Sequence, residues 1–337
     1  MLGITELKRE IEITETTVEC PVEDCNEKVE KQRGFFTRNE RFKCPRHHIY
    51  ISPTTFEYEN ELNNLLWKEK VDQELLQKIK QIKRECRMAR DNSEDAVTWN
   101  VFRFLEKTKG LSGFLTKSCN SVVKDPELIY WSYSQSKRNA WRKLIEARCE
   151  FGEAKNHKDA QKRGSEPDLI VKSDKALFFI EVKLTSTNNT TPSNHNDQKK
   201  YLTGGDNWFD KVFKSDYETI AIQEKKYELL RFWLIGTWIA EHLNLDFYLI
   251  NLTLSDCKED IEKAFKRCIK ENDHRRFMRI TWEDVYKYIT NDNISLKDKE
   301  AVLKYFENKS LGYKNGVLKK AFSVSSSPVT EVNYRNI

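Results

Sequence analysis

Glycine and proline are scarce: the 337 residues hold 11 and 7 of them. So few exclude a collagen-like or low-complexity chain. Long apolar runs are missing too. The longest, Ala176–Ile180 and Phe232–Ala240, fall short of the ~20 residues that a membrane helix needs, and Gly236 and Thr237 interrupt the second. The opening stretch Met1–Ile13 alternates charge and apolarity, without the basic start and apolar block of a signal peptide. A cytoplasmic location is therefore expected, where the sequons at Asn188 and Asn189 mean nothing. Hydrophobic residues are only 38%, but aromatics reach 12%, and disordered chains are poor in aromatics. The expectation is a soluble globular protein with a charged surface, in about two domains at ~150 residues each.

The charge balance is 58 basic against 53 acidic residues, a net +5. This permits a nucleic-acid partner without requiring one. The basic residues are concentrated: residues 26–48 hold seven Lys/Arg against three Glu, and residues 68–90 hold eight against four acids. The plainer reading of both stretches is a solvated face.

Leu62, Leu65, Leu66, Leu75, Ile79, Ile82 and Cys86 recur at helical spacing, which predicts connecting helices over 60–90. Asp91, Asn92 and Ser93 are cap residues, and a helix from Glu94 to about Thr108 should follow. The pattern then predicts a strand at 128–133, a helix at 137–151, and strands at 166–172 and 176–184 around a tight turn at 173–175. Residues 185–215, rich in Asn, Thr and Gly, read as a long loop, functional or mobile. A periodic helix at 217–242, a strand at 246–254, and helices marked by Ile261, Phe265, Ile269 and by a capping box at Thr281–Asp284 complete the reading.

The strongest chemical signal is Pro167 and Asp168 followed by Glu181, Val182 and Lys183. Leu177, Phe178, Phe179, Ile180 and Val182 predict a strand buried on both faces. Side chains alternate with period two, so Glu181 and Lys183 project from one face. Opposite charges at the end of a buried strand are costly unless they are paired or bind something. The hairpin brings Asp168 beside them. Mg²⁺ keeps several waters and needs only one or two protein carboxylates. Asp168 and Glu181 can supply these, with help from the Val182 carbonyl, and Lys183 can orient water and balance a phosphate oxyanion. A structural Glu181–Lys183 salt bridge is the plainer alternative.

Ser165 to Val171, read with Phe179 to Leu184, resembles the PD-(D/E)XK nuclease motif, a superfamily that includes many restriction endonucleases and recombination nucleases. The resemblance implies a restriction-endonuclease-like mixed sheet flanked by helices, with α-β-β-β-α-β order over residues 93–255. It implies cleavage of DNA with Mg²⁺ or Mn²⁺, Asp168 and Glu181 as metal ligands, Lys183 as the catalytic lysine, and a role in restriction or defence. A repair or transposition nuclease and a non-catalytic nucleic-acid-binding module are the alternatives. Glu94 shares the stripe of Val97, Val101 and Leu105, where members of this superfamily often carry an acid near the metal. A first-turn acid favoured by the helix dipole explains it equally well. Gln223 and Tyr227 resemble the QxxxY motif of the recombination branch, in which the pair lies near the site and contacts DNA. Their four-residue spacing puts them on one helix face, and Tyr227 can equally be core. His157, His195 and Trp208 fall in polar segments and are weaker candidates for substrate contact.

Cys20, Cys25, Cys44 and His47 make two paired half-sites. In a reducing compartment these suit a metal better than disulfides, and four Cys/His ligands suit structural Zn²⁺. His48 is the alternative to His47. The remaining five cysteines read as core. The expected organisation is a zinc module over 1–58, a helical connector over 59–92, the nuclease core over 93–255, a helical extension over 256–322 and a loose tail over 323–337. The expected partner is DNA, with no membrane and with a homodimer left open. Arg38, Arg41 and Lys43 of the zinc module, and Lys199 and Lys200 beside the site, are the expected phosphate contacts.

Overall fold

The computed structural model describes residues 7–83, 85–161, 163–194, 197–257, 259–291, 296–314 and 317–324. His195 and most of the expected tail, residues 325–337, lie outside the described residues.

The N-terminal unit is two short antiparallel hairpins. Strands β1 (Thr17–Glu19) and β2 (Lys28–Glu30) set Val18 against Val29, and β3 (Ile49–Ile51) pairs with β4 (Phe56–Tyr58). Val18, Val29, Ile49, Ile51 and Phe56 make a small core around the three cysteines. A core of that size is too small to hold such a unit alone, and a metal or a neighbour has to add to it.

Helix α1 (Lys70–Ile82) buries Leu76 and Ile79. Ser93 caps α2 (Glu94–Lys107) by accepting from Ala96 N at 3.1 Å, and α3 (Gly110–Cys119) follows. The strand expected at 128–133 is two: β5 (Glu127–Tyr130) and β6 (Tyr133–Ser134). Trp131 and Ser132, with φ of 42° and 77°, turn the chain between them. Positive φ at two non-glycine residues is unusual, and the pattern alone could not show it. The strand β7 (Asn139–Ala140) then uses up the start of the expected helix, so α4 begins late (Arg142–Glu150).

After α5 (His157–Ala160), β8 (Leu169–Lys172) and β9 (Ala176–Val182) form the expected hairpin. Every residue of β9 is buried, as its apolar run predicts. The expected loop at 185–215 contains α6 (Gln198–Val212). Gly205, Asp206 and Asn207 kink α6 with φ near 60°, a conformation that Gly, Asp and Asn tolerate. Tyr201, Trp208, Phe209 and Val212 anchor it in the core. Trp208 donates through Nε1 to Thr237 Oγ1 at 3.0 Å and so serves as an anchor, not an exposed stacking surface. The helix expected from 217 is also broken: a π-helical turn (Thr219–Gln223) is followed by Lys225, with φ 54°, before α7 (Tyr227–Leu243) starts.

β10 (Asp246–Thr253), α8 (Ile261–Lys266), β11 (Arg275–Thr281), α9 (Trp282–Asn291), α10 (Leu296–Asn308), β12 (Ser310–Lys314) and β13 (Val317–Lys320) complete the chain. The main sheet has seven strands in the order β11-β10-β9-β8-β5-β6-β7. β9, β10 and β11 run parallel, and the other neighbours are antiparallel. On one face Leu169, Phe178, Ile180 and Ile250 pack with Val97, Val101 and Leu105 of α2. On the other, Ile170, Phe179 and Leu249 pack with Leu230 and Leu234 of α7. Helices cover both faces of a mixed sheet, a three-layer α/β arrangement.

The C-terminal region is not only helical. β11 belongs to the main sheet, and the β12–β13 hairpin joins the N-terminal unit: Tyr313 and Leu318 enter its core, and Tyr313 N donates to Thr54 O at 2.9 Å. A pattern read locally could not show this pairing across more than 250 residues. Among the described residues no helix is long and apolar enough to cross a membrane.

Candidate active site and metal centre

In the β8–β9 hairpin Leu169 faces Ile180. Lys183 N donates to Leu252 O at 2.8 Å, so the backbone of Glu181 and Lys183 faces β10 and that of Val182 faces the β8 side. Carried two residues on, the register sets Val182 opposite Pro167. Proline has no N–H to give, so the ladder leaves the Val182 carbonyl without a donor from that side. Asp168 takes the matching amide: its Oδ2 accepts from Val182 N at 2.9 Å, and its Oδ1 accepts from Trp131 Nε1 at 3.1 Å. The Pro-Asp dipeptide thus frees one carbonyl and places one carboxylate beside it.

Side-chain alternation sends Glu181 and Lys183 to the α7 face, with Phe179 beneath them, and Asp168 stands just before β8 at the same end of the sheet, held by Trp131 and the Val182 amide. Lys183 Nζ donates to Glu181 Oε1 at 2.6 Å and to Glu228 Oε2 at 2.7 Å. Glu228 stands in the first turn of α7, where its N–H donates to Thr190 Oγ1 at 2.9 Å. Three carboxylates therefore surround one ammonium, and Glu181 is only 4% exposed. Burial pushes the Asp168 carboxyl up to about 6, against the pull of Lys83 and Lys183. Burial, then the Asp168 and Glu228 charges, push Glu181 well above the usual carboxylate range. Burial opposes the charge on Lys183, but Glu181, Glu228 and Asp168 outweigh it and hold the ammonium protonated. A divalent cation relieves such an excess of negative charge.

Lys83, at the end of α1, reaches the same region. It pairs with Asp95 at 3.1 Å and lies 4.6 Å over the Trp131 ring, the ring that holds Asp168. Glu94 acts on the far side of Lys183. Its Oε1 accepts from the backbone N–H of Leu184, Thr185 and Ser186, at 2.7, 2.9 and 3.0 Å, and from Ser186 Oγ at 2.7 Å. Through Oε1 it therefore ties down the segment after β9.

The expected Gln223–Tyr227 pair is not on one helix. Gln223 is exposed on the π-helical turn, and the left-handed Lys225 separates it from α7. Tyr227 is buried, with its hydroxyl 3.3 Å from that of Tyr201 and donating to Asp197 at 3.4 Å, so it belongs to the core. The α7 residue that meets Lys183 is Glu228, and the sequence offers no signal for it beyond an acid in a first turn.

Cys20 and Cys25 lie in the β1–β2 turn, and Cys44 and His47 precede β3. Cys20 Sγ is 3.6 Å from His47 Nδ1, Cys44 Sγ is 3.8 Å from the same nitrogen, and Cys25 Sγ is 3.9 Å from Cys44 Sγ. A tetrahedron with Zn–S of ~2.3 Å and Zn–N of ~2.0 Å has edges of about 3.5–3.8 Å. All four ligand atoms lie within 4.8 Å of one another, so the group can hold a metal ion such as zinc. His47 completes it; His48 has a φ of 53° and faces Glu59 at 3.5 Å instead.

The expected phosphate contacts differ in availability. Arg41 is well exposed and only loosely paired, 3.6 Å from Glu30. Arg38 is bound by Glu57 at 2.7 Å. Lys43 is held between Glu40 and Glu59, at 2.7 and 3.0 Å, with its side chain 12% exposed. Lys199 is exposed on α6, whereas Lys200 pairs with Asp197 at 3.0 Å. Comparison with family models, curated proteins and solved structures returned no match to this chain.

Proposed function

We propose that the chain is a metal-dependent nuclease of the PD-(D/E)XK type that hydrolyses DNA phosphodiester bonds. The observation that carries this reading is the convergence of Asp168, Glu181 and Lys183 at one end of the β8–β9 hairpin, beside a Val182 carbonyl that the ladder leaves free. The order α2, β5, β8, β9, α7, β10, with β5-β8-β9-β10 adjacent in the sheet, supports it.

The donor set fits Mg²⁺ or Mn²⁺: oxygen atoms from Asp168, Glu181 and the Val182 carbonyl would hold the ion. When bound, such a cation acidifies water and neutralises charge on the phosphoryl oxygens. Trp131 and the Val182 amide fix the Asp168 carboxylate, so little order has to be created when the ion arrives. Lys183 stays protonated between its carboxylates and presents N–H groups to a phosphate oxygen or to the attacking water. Glu94 holds residues 184–186, and through them the end of the strand that bears Lys183. The Cys20, Cys25, Cys44 and His47 group is read as a structural zinc site that completes an undersized core, and Arg41 as its most available phosphate contact.

The test is incubation of the purified chain with plasmid DNA and, separately, with a single-stranded oligonucleotide, each with Mg²⁺, with and without EDTA; cleavage of either supports the reading. Cleavage is expected only with the free metal, and Asp168→Ala, Glu181→Ala and Lys183→Ala should each abolish it while DNA binding survives. Wild-type rates in all three variants would remove the site assignment. DNA binding without cleavage in the unaltered chain would leave a binding module.

A further inference from the structure

A cleft of about 570 Å³ opens directly from Lys183. It runs between residues 184–189 and residues 253–257, along the carboxyl ends of β9 and β10, and the C-terminal hairpin closes it with Leu311 and Lys319. Its volume lies within the roughly 300–1,000 Å³ of small-ligand sites. Three features describe the guest it suits.

The first is chemistry. Leu184, Leu254 and Leu311 give apolar walls, and Thr185, Ser186 and Asn189 add hydroxyl and amide groups. The second is charge. Lys319 is 3.9 Å from Asp256, Glu259 is bound by Lys226 at 2.5 Å, and Lys183 is held by Glu181 and Glu228. The cleft therefore has no run of cations with which to track several phosphates: among the described residues, beyond Lys183 only the loosely paired, exposed Lys319 lines it, and Asp256 and Glu259 add negative charge. Its walls suit the base and sugar of one nucleoside. The third is depth. The side chains of Glu181 and Lys183 are 6% and 11% exposed, so a scissile phosphate has to descend to them. A stacked duplex is stiff over ~150 base pairs, and bringing one of its nucleotides into a recessed site means unstacking and unpairing it first. A single strand avoids that cost.

We propose that this cleft seats one unpaired nucleoside next to the scissile phosphate, so that the substrate is single-stranded nucleic acid. The inference rests on the nuclease reading for the position of the scissile phosphate.

Cys257 lines the cleft and is exposed, which provides a direct readout. The full chain, without added divalent cation, is treated with N-ethylmaleimide in the presence of a short oligothymidine strand or of a mixed-sequence duplex. Alkylation is followed by mass spectrometry, with the partly exposed Cys149 as the internal reference. At ten times its dissociation constant the strand leaves about one site in eleven free, so Cys257 should react about tenfold more slowly. Cys149 and the duplex sample should be unchanged. Thr187→Glu, at an exposed position in the cleft wall, should remove the protection at the same strand concentration with the circular dichroism spectrum unaltered. Equal Cys257 rates with and without the strand, or equal protection by the duplex, would overturn the inference. Protection of Cys257 without Mg²⁺-dependent cleavage of any DNA supports the cleft and removes the nuclease reading. Cleavage of plasmid DNA without protection does the reverse.

Discussion

Asp168→Asn tests the electrostatics of the site without requiring any catalysis. In the folded chain the Asp168 carboxyl is pushed from its ordinary 3.8 up to about 6, chiefly by burial. The folded state therefore binds more protons than the unfolded state between these values, and stability has to fall as pH rises through them. The contribution is fully present below about pH 4. It is lost as pH passes 6, for a total of about 3 kcal/mol, of which about 2 kcal/mol falls between pH 4.5 and 8. Asparagine does not titrate. It also forfeits one of the two hydrogen bonds that Asp168 accepts from Trp131 and Val182, but that loss is the same at every pH and cancels when the change with pH is read. Urea unfolding of both chains at pH 4.5 and pH 8, without added divalent cation, should show the variant gaining about 2 kcal/mol on the wild type as pH rises. Glu181 is pushed the same way, partly by Asp168, so the measured slope belongs to the pair. Mn²⁺ added at pH 8 should restore the wild type and leave the variant unmoved. A difference between the two chains that does not change with pH would refute the reasoning.

Three further outcomes follow from the geometry. Metal analysis should find about one zinc per chain, and Cys44→Ser should lose it; structural zinc in small units contributes roughly 10–16 kcal/mol, so residues 7–58 and the β12–β13 hairpin should lose hydrogen-exchange protection together, whereas a zinc-free chain with full protection would count against the site. Glu94→Ala should free residues 184–186 and lower cleavage about 10- to 100-fold, as loss of a positioning partner does, with Mn²⁺ affinity unchanged and partial recovery in Glu94→Gln, whose remaining oxygen can still accept. Arg41→Glu should weaken DNA binding in fluorescence anisotropy and reduce the log–log salt slope by about 0.9, while Lys43→Glu should lower the unfolding temperature instead, because it breaks the pairs with Glu40 and Glu59.

Signals carried by a few adjacent residues were legible in the sequence. The doubly buried run Ala176–Val182, its hairpin with Leu169–Lys172 and the four zinc-type ligands all read correctly as local patterns. Signals that depend on distant partners were not. The seventh strand, Arg275–Thr281, alternates weakly and is fixed by its parallel pairing with β10. The β12–β13 hairpin finds its core in a unit at the other end of the chain. Helix α6 was hidden because Gly204, Gly205, Asp206 and Asn207 read as loop residues. They kink the helix so that Gly204 and Gly205 can approach the Phe151 ring, while Tyr201 and Trp208 anchor it on either side.

A break in the helix explains why Glu228, and not Gln223, faces Lys183. A continuous helix would carry Gln223 and Tyr227 on one face. The chain is not continuous there: five π-helical residues and a left-handed Lys225 reset the register before α7 begins. Thr190 fixes the new start from both sides, since its carbonyl accepts from Tyr227 N at 3.1 Å and its hydroxyl from Glu228 N at 2.9 Å. Tyr227 then turns inward to Tyr201, and Glu228 turns toward Lys183. Thr190 lies in the same segment that Glu94 ties down at residues 184–186. The loop after β9 therefore sets both the backbone that follows Lys183 and the carboxylate that faces it. If Thr190 sets this register, Thr190→Val, which keeps the shape and removes the hydroxyl, should loosen the first turn of α7, read as faster hydrogen exchange over residues 227–231 with the rest of α7 unchanged. Unchanged exchange there in that variant would show that the helix start is fixed without the hydroxyl.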